Sequence, residues 1–212
     1  MQINSPYQPE RQPNPSAGTL LRPLLNSDEP AYRRWRDSKL ENYISDPNQC
    51  LVEIQNPVRL SSTEKHKLQS VVGKNNFVIY QYSPDRVGNA DDYQLICKQL
   101  GLSQSVSNPE SDIYNVTAIR NHASDSSDSA YRSRYIPYTS QALNWHTDGY
   151  YNTGQQIVRS FVLHCVQSAA NGGTNELLDH EIAYILLRER DPELANALCD
   201  FNCFTIPGNV LQ

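Results

Sequence analysis

The sequence has few of the features that mark several large classes of protein. It contains no block of lysine and arginine, and its 23 acidic side chains outnumber the 18 basic ones. A mildly acidic chain without a basic patch argues against a nucleic-acid partner. The longest apolar runs, such as Phe161–Val166, are far shorter than the roughly 20 residues of a membrane-spanning helix. Binding to nucleic acid and insertion into a membrane are therefore both unexpected.

Signals for export and for metal binding by cysteine are also absent. The first residues, MQINSPYQPERQPNPSAG, show no basic segment followed by an apolar core, so we expect no secretory signal. Cys165 lies within an apolar run, where a reduced and buried thiol is expected. The 5 cysteines fit neither a zinc spacing nor a dense disulfide framework; they are Cys50, Cys97, Cys165, Cys199 and Cys203. These patterns favour a soluble cytoplasmic protein.

The chain divides into an arm and one domain. Residues 1–20 are rich in Pro, Gln, Asn and Ser and lack apolar periodicity, which predicts a flexible arm. The remainder, residues 21–212, is long enough for a single domain with its own core. Residues 121–142 are polar, rich in serine and long for a connection, and such loops are usually functional or disordered.

Helix signals recur along this domain. Ser27 or Asp28 can cap the first helix, and the spacing from Ser61 to Glu64 is that of a capping box on a helix that stops near Gly73. The dipeptide Asp191-Pro192 predicts the start of a short last helix. Helices are predicted over residues 27–44, 61–73, 91–101, 179–190 and 192–200.

The predicted strands do not alternate strictly with these helices along the chain. The segments NFVIYQY, IYNVTAIR and VRSFVLHCV have the β-branched and apolar content of strands, and the last residues, 201–212, suggest a strand and a turn. NGGTN predicts a glycine turn. Strands with helices at one side, rather than strict alternation, favour an α+β or mainly β core.

The segment LNWHTDGYYN contains a potential metal-binding pair. In an extended segment His146 and Asp148 project from the same face, so their side chains can reach one point. An imidazole and a carboxylate, completed by a second histidine, form the facial triad of non-haem iron(II) oxygenases. On this motif alone, a solvated turn remains the simpler interpretation.

The order of motifs around this pair resembles one known superfamily. It resembles the TauD/TfdA-like Fe(II)/2-oxoglutarate-dependent dioxygenases and, within them, the γ-butyrobetaine and trimethyllysine hydroxylase branch. The resemblance is close over residues 136–205 and loose over residues 52–120. Its motifs are Tyr138-Thr139, Leu143, His146-Thr147-Asp148, Leu163-His164-Cys165, Ala169, Gly172-Gly173 and Leu178-Asp179.

The resemblance implies a fold, cofactors and roles for residues. The fold would be a double-stranded β-helix, the jelly roll of clavaminate synthase-like proteins. His146 and Asp148 match the first two ligands of Fe(2+), and Asn175, with Thr174 beside it, matches the position that helps to bind 2-oxoglutarate. Tyr150 and Tyr151 would lie near the mouth of the site, where they either form an aromatic cage for a cation or serve packing.

The resemblance also implies an incomplete site. The family's distal histidine and its 2-oxoglutarate-binding arginine follow well after the glycine turn, whereas no histidine follows His180 and no arginine follows Arg190. The third iron ligand is thus not expected in this chain, which resembles the N-terminal part of the domain. The jelly roll would be incomplete at its C-terminus, with self-association as one consequence and loss of activity as another.

The remaining histidines receive structural roles. His164 lies within an apolar segment, and the family has a histidine there that does not bind metal, so we expect a hydrogen-bonded core residue. His66 is expected on the exposed face of a helix, and His122 in a solvated loop. His180 is expected at the start of a helix, as a surface or cap residue. Two functions stay open. The first is a dioxygenase that acts with dioxygen on a small substrate, either a quaternary ammonium compound or a taurine-like molecule. The second is a non-catalytic remnant of the same fold that serves as a binding or structural protein.

Overall fold

The computed structural model describes residues 28–86, 90–105, 116–121, 135–149, 152, 157–200 and 203–204. The chain forms two compact units. The first unit comprises Met1–Cys50, Val71–Val78 and Glu176–Gln212, and the second comprises Leu51–Ser70 and Ile79–Asn175. The predicted arm (1–20), the predicted terminal strand apart from residues 203–204, and His122 lie outside the described residues.

Three helices build the described part of the first unit. They are α1 (Glu29–Asn42), α4 (His180–Arg190) and α5 (Pro192–Leu198). Each begins at an aspartate whose carboxylate accepts a backbone N–H of the first turn, which satisfies a donor that the helix itself leaves unpaired. The three capping residues are Asp28, Asp179 and Asp191. The predicted starts of these helices are confirmed.

Aromatic and charged side chains join α1 to α4. The Arg188 guanidinium lies 3.6 Å from the centre of the Tyr32 ring and 3.0 Å from a Glu29 carboxylate oxygen. The Tyr32 hydroxyl donates to Glu189 at 3.0 Å. Burial, together with this contact to Glu189, raises the pKa of Tyr32 to about 12. Tyr184 meets Tyr32 edge to face, and the Tyr184 hydroxyl accepts from Arg188 at 3.2 Å. Both tyrosine hydroxyls thus have a hydrogen-bond partner.

The second unit contains a short parallel pair of strands. Strand β1 (Leu51–Glu53) pairs with β2 (Ile79–Gln81), with Val52 opposite Tyr80. Helix α2 (Ser62–Asn75) lies between them in sequence, as the crossover that a parallel pair requires. The prediction of a strand in NFVIYQY is confirmed in position, although Ile79 is exposed rather than buried.

The capping box predicted for α2 is present. The Ser61 backbone N–H donates to Glu64 Oε2 at 2.7 Å, and the Glu64 N–H donates to Ser61 Oγ at 3.2 Å. Burial raises the pKa of Glu64, but the hydrogen bonds from Ser61 and from the Gln55 backbone outweigh it and lower the pKa overall. The helix continues past Gly73, where the sequence predicted its end. It stops at Asn75 because Asn76 adopts the left-handed conformation, at φ 60°, that ends a helix.

Helix α3 (Ala90–Gln99) closes the second unit's apolar core. It ends at Gln99, two residues before the predicted end, and the chain turns at Gly101, whose φ of 86° glycine adopts at little cost. The Gln99 side chain accepts the Leu60 N–H at 2.8 Å and donates to the Pro57 carbonyl at 3.1 Å. Among the described residues of this unit, the buried apolar side chains are Val52, Ile54, Pro57, Leu60, Leu68, Ile96 and Tyr138.

Several strand predictions are wrong in the described residues. Residues 157–166 form no strand, and Phe161, Val162 and Leu163 are exposed. Residues 116–120, the described part of IYNVTAIR, are also irregular. Composition identifies side chains that suit a sheet, but a strand also needs a partner backbone. No backbone hydrogen bond joins residues 157–166 to another described residue. Cys165, predicted to be buried, is exposed for the same reason.

The jelly roll implied by the resemblance is not visible as a closed sheet. Within the described part of the chain, the sheet consists of β1 and β2 alone. Among the described helices, none combines the length and the apolar character needed to cross a bilayer.

Candidate functional site

The potential metal-binding pair lies in a turn rather than in the extended segment that the sequence predicted. The backbone bends at Trp145 and turns at Asp148 and Gly149. The Asn152 N–H donates to the Gly149 carbonyl at 2.9 Å, just after the turn. Gly149 has φ 66°, and a Cβ atom there would overlap the Val158 side chain. Glycine is therefore required by the backbone conformation and by the space available.

The two side chains nevertheless face each other. His146 Nε2 lies 3.7 Å from Asp148 Oδ1, and the side chains are 43% and 54% exposed. The bend thus brings both side chains towards one point, as was expected from the alternation of side chains in an extended strand. Both groups are open to solvent and accessible to a small ion or molecule.

A backbone contact fixes the chemistry of the imidazole. His146 Nδ1 lies 2.7 Å from the Asn144 carbonyl oxygen. A carbonyl oxygen only accepts, so this contact assigns the proton to Nδ1 and leaves the lone pair of the neutral ring on Nε2. Histidines that bind metals typically donate their other ring N–H to such an oxygen. The lone pair therefore lies on the nitrogen nearer to Asp148.

The pair fits two positions around a divalent metal ion. Nitrogen and oxygen ligands bind such ions at about 2.1 Å, so two ligands at a right angle lie about 3 Å apart. The observed separation of 3.7 Å is slightly longer than this distance. A small rotation of either side chain would close the difference. Among the described residues, however, no group of three or more His, Cys, Asp or Glu side chains meets at one point.

The residues expected to bind 2-oxoglutarate follow the glycine pair of the segment NGGTN, where the backbone bends at Ala170 and Asn171 and no regular turn forms. Gly172 and Gly173 have φ of 71° and 73°. Asn175 donates to the Gly173 carbonyl at 3.3 Å, and Thr174 and Asn175 are exposed. In the described contacts, neither residue touches His146 or Asp148. Tyr150 and Tyr151 lie outside the described residues.

His164 lies against three tyrosine rings, in keeping with its expected structural role. Its ring is parallel to that of Tyr82, with an interplanar angle of 6° and centres 5.0 Å apart, and contacts Tyr80 and Tyr93 at 5.7 Å and 5.1 Å. His164 Nε2 lies 3.1 Å from the Tyr82 hydroxyl. Burial lowers the pKa of His164 and raises that of Tyr80 to about 12.

The three tyrosines around His164 form a cluster, defined as Tyr80, Tyr82 and Tyr93, that was not predicted from the sequence. The spacing of Tyr80 and Tyr82 places both on one face of an extended segment, which was the available signal. The partners His164 and Tyr93 are distant in sequence, so no local pattern joined them. His66 and His180, predicted at the surface and at a helix start, are exposed.

An open cleft of about 400 Å³ lies at the carboxyl ends of β1 and β2. Tyr82 belongs to this cleft and also to the tyrosine cluster. The lining residues are Glu53, Ile54, Gln55, Gln81, Tyr82, Ser83 and Arg86.

Comparison with known proteins identifies the family. The family model described as taurine catabolism dioxygenase TauD, TfdA family matches residues 40–209, which is most of the chain and includes His146, Asp148 and the glycine pair. No significant match was found among curated proteins or among solved structures. Proteins of this family generally use Fe(II) and 2-oxoglutarate. The chain therefore belongs to the TauD/TfdA family of non-haem iron dioxygenases.

Proposed function

We propose that the chain is part of an Fe(II)- and 2-oxoglutarate-dependent dioxygenase in which His146 and Asp148 are two of the iron ligands. One observation carries this proposal: His146 Nε2, whose lone pair is left free by the contact of Nδ1 with the Asn144 carbonyl, lies 3.7 Å from Asp148 Oδ1. The alternative interpretation, a turn that only contacts solvent, requires neither a fixed His146 tautomer nor side chains that face each other. The third ligand is left unassigned.

Each residue of this site contributes a distinct property. His146 supplies a neutral nitrogen donor, and the Asn144 carbonyl holds its ring in one orientation. Asp148 supplies an anionic oxygen that offsets charge on a divalent cation. When bound together, a ferrous ion and 2-oxoglutarate supply the activation of dioxygen that hydroxylation of a C–H bond requires. Thr174 and Asn175 are proposed to bind a 2-oxoglutarate carboxylate.

The substrate class follows from the branch that the motifs resemble. We propose a small organic molecule, either a quaternary ammonium compound or a taurine-like sulfonate. For the first of these, Tyr150 and Tyr151 would offer aromatic faces to the cation. For the second, a basic side chain would be needed instead, so replacement of the tyrosines distinguishes the two substrates.

Turnover of 2-oxoglutarate tests the proposed reaction. The full chain is supplied with ferrous ion, 2-oxoglutarate, dioxygen and ascorbate, and succinate is measured for wild type and for Asp148→Asn, with His66→Asn as the control for an exposed residue on α2. Succinate that forms with wild type and the control but is lost with Asp148→Asn supports a dioxygenase. Succinate unaffected by Asp148→Asn contradicts the assignment of this ligand.

The second candidate is a non-catalytic member of the same family that binds a ligand or supports a partner. The observation that favours it is the absence, within the described residues, of a third potential metal ligand beside His146 and Asp148. This candidate predicts ferrous ion binding at low affinity without any succinate. The same assay therefore separates the two functions.

A further inference from the structure

The segment that follows the metal-binding pair is attached to its surroundings in an unusual way. Over residues 157–178, no backbone-to-backbone hydrogen bond to another described residue is present. Most side chains of the segment are exposed, including Phe161, Leu163 and Val166. Among the described residues, the contacts that it makes come from side chains.

One end of the segment contacts the turn of the metal-binding pair. The Val158 side chain occupies the space into which a Cβ atom on Gly149 would project. Gly149 follows Asp148 directly, and its carbonyl accepts a hydrogen bond from the Asn152 N–H. A displacement of Val158 would therefore reach the backbone that orients the Asp148 carboxylate.

Six residues after Val158, the segment is held by His164. Three of its aromatic contacts involve the tyrosine cluster, and one of them, with Tyr82, is nearly parallel at 6°. The Tyr82 hydroxyl lies 3.1 Å from His164 Nε2 and 3.5 Å from Nδ1, a polar contact that adds to the stacking. Because Tyr80 belongs to β2 and Tyr93 to α3, the stacking of His164 joins these two elements to the segment.

We infer that His164 is a positioning residue for the iron site: by stacking in the tyrosine cluster it holds residues 157–166 so that Val158 supports the Gly149 turn and the facing orientation of His146 and Asp148. This inference rests on the proposed function. It gives His164 a role that needs no contact with the metal. An alanine at this position removes the stacking and the hydrogen bond together, whereas phenylalanine retains the stacking alone.

The orientation of His146 is measured without metal. The ¹⁵N chemical shifts of its imidazole report the tautomer, and wild type is expected to show the form protonated at Nδ1. His164→Ala is expected to shift these signals towards a mixture of tautomers, His164→Phe to leave them close to wild type, and His180→Ala, which removes an exposed histidine, to leave them unchanged. Unchanged His146 signals in His164→Ala would overturn the inference.

Metal affinity provides the second measurement, with Co(II) as the probe and its visible absorption spectrum as the readout. We expect His164→Ala to weaken binding about tenfold and to alter the spectrum, and His164→Phe to restore both. Equal affinity for wild type and His164→Ala, together with weaker binding by His146→Ala, would overturn the positioning role alone. Binding unaffected by His146→Ala contradicts the proposed function instead. If His164→Ala fails to fold, Tyr82→Phe, which removes the hydrogen bond and keeps the ring, is measured in its place and is expected to give a smaller shift of the same sign.

Discussion

The ammonium group of Lys39 on α1 lies 2.7 Å from the carboxylate of Asp179, the residue that caps α4, and the two side chains are 6% and 0% exposed. Lys39 also contacts Glu181 at 2.7 Å and donates to the Lys74 carbonyl at 2.6 Å. The Asn76 amide donates to Asp179 and Glu181. A buried charge is tolerated only when its partners replace the lost water. Here the charged groups and their partners come from all three segments of the first unit.

Removing one charge from this pair is expected to destabilise the fold. Lys39→Met leaves the Asp179 carboxylate buried without its cation, and the loss of one partner of a buried ion pair costs about 3–5 kcal/mol. The free energy of unfolding from urea titration measures this cost. Lys67→Met, which changes an exposed lysine of α2, is the matched control and should alter stability by less than about 0.5 kcal/mol. A similar small effect of both substitutions would contradict a buried pair.

The same pair predicts a dependence of stability on pH. Burial raises the pKa of Asp179, but the hydrogen bonds from Lys39, Asn76 and the Glu181 backbone, with the charge of Lys39, lower it overall below its ordinary 3.8. A lowered pKa means that the stabilisation is present above pH 3.8 and is lost as pH falls below it. The difference in unfolding free energy between wild type and Asp179→Asn should thus shrink as pH falls from 5 towards 2. A difference that stays constant over this range would show that ionisation of Asp179 contributes nothing.

Two glycines should respond in opposite ways to the same substitution. Gly149→Ala forces a side chain into the space of Val158 at a φ of 66°, and we expect it to destabilise the second unit by about 1–3 kcal/mol. Gly73→Ala places a methyl group in open space on α2 and should stabilise it by about 0.5–1 kcal/mol. Thermal unfolding of the two variants measures both effects. Equal changes would contradict the close approach of Val158 to the turn.

His164 predicts a second dependence on pH, in a separate range. Burial lowers the pKa of its imidazole below the ordinary 6.5. The neutral form is thus favoured in the folded chain, so its stabilisation is present above pH 6.5 and is lost as pH falls below that value. Replacement by phenylalanine removes the titrating group and retains the ring. His164→Phe should therefore lose less stability than wild type between pH 7 and pH 5, as measured by urea unfolding, and parallel curves would contradict a buried imidazole.

The sequence predicted well the features that depend on neighbouring residues. The cap at Asp28, the capping box of Ser61 and Glu64, and the helix start at Asp191-Pro192 all arise from hydrogen bonds within about four positions of the chain, which a local pattern contains in full. The end of α2 was misplaced because Gly73 fits inside a helix when Asn76 takes the left-handed conformation instead.

Features that depend on distant partners were predicted poorly. The apolar segment around Phe161 and Leu163 has the composition of a strand, but composition does not specify the backbone that must pair with it. The stacking of His164 on Tyr82 and the pairing of Lys39 with Asp179 join residues far apart in sequence, and no local spacing encodes either contact. For His146 and Asp148, residue types and order indicated a shared direction, although the bend that produces it was not foreseen.

The most direct test of the iron site is the affinity of the full chain for ferrous ion under anaerobic conditions, measured by calorimetry. Wild type and the His66→Ala control are expected to bind one ion per chain with equal affinity. His146→Ala and Asp148→Ala should each weaken binding by more than about 100-fold, because removal of a ligand costs more than the 10–100-fold loss typical of the groups that only support ligands. Binding that is equally strong in wild type, His146→Ala and Asp148→Ala would contradict the central claim that these two side chains hold the metal.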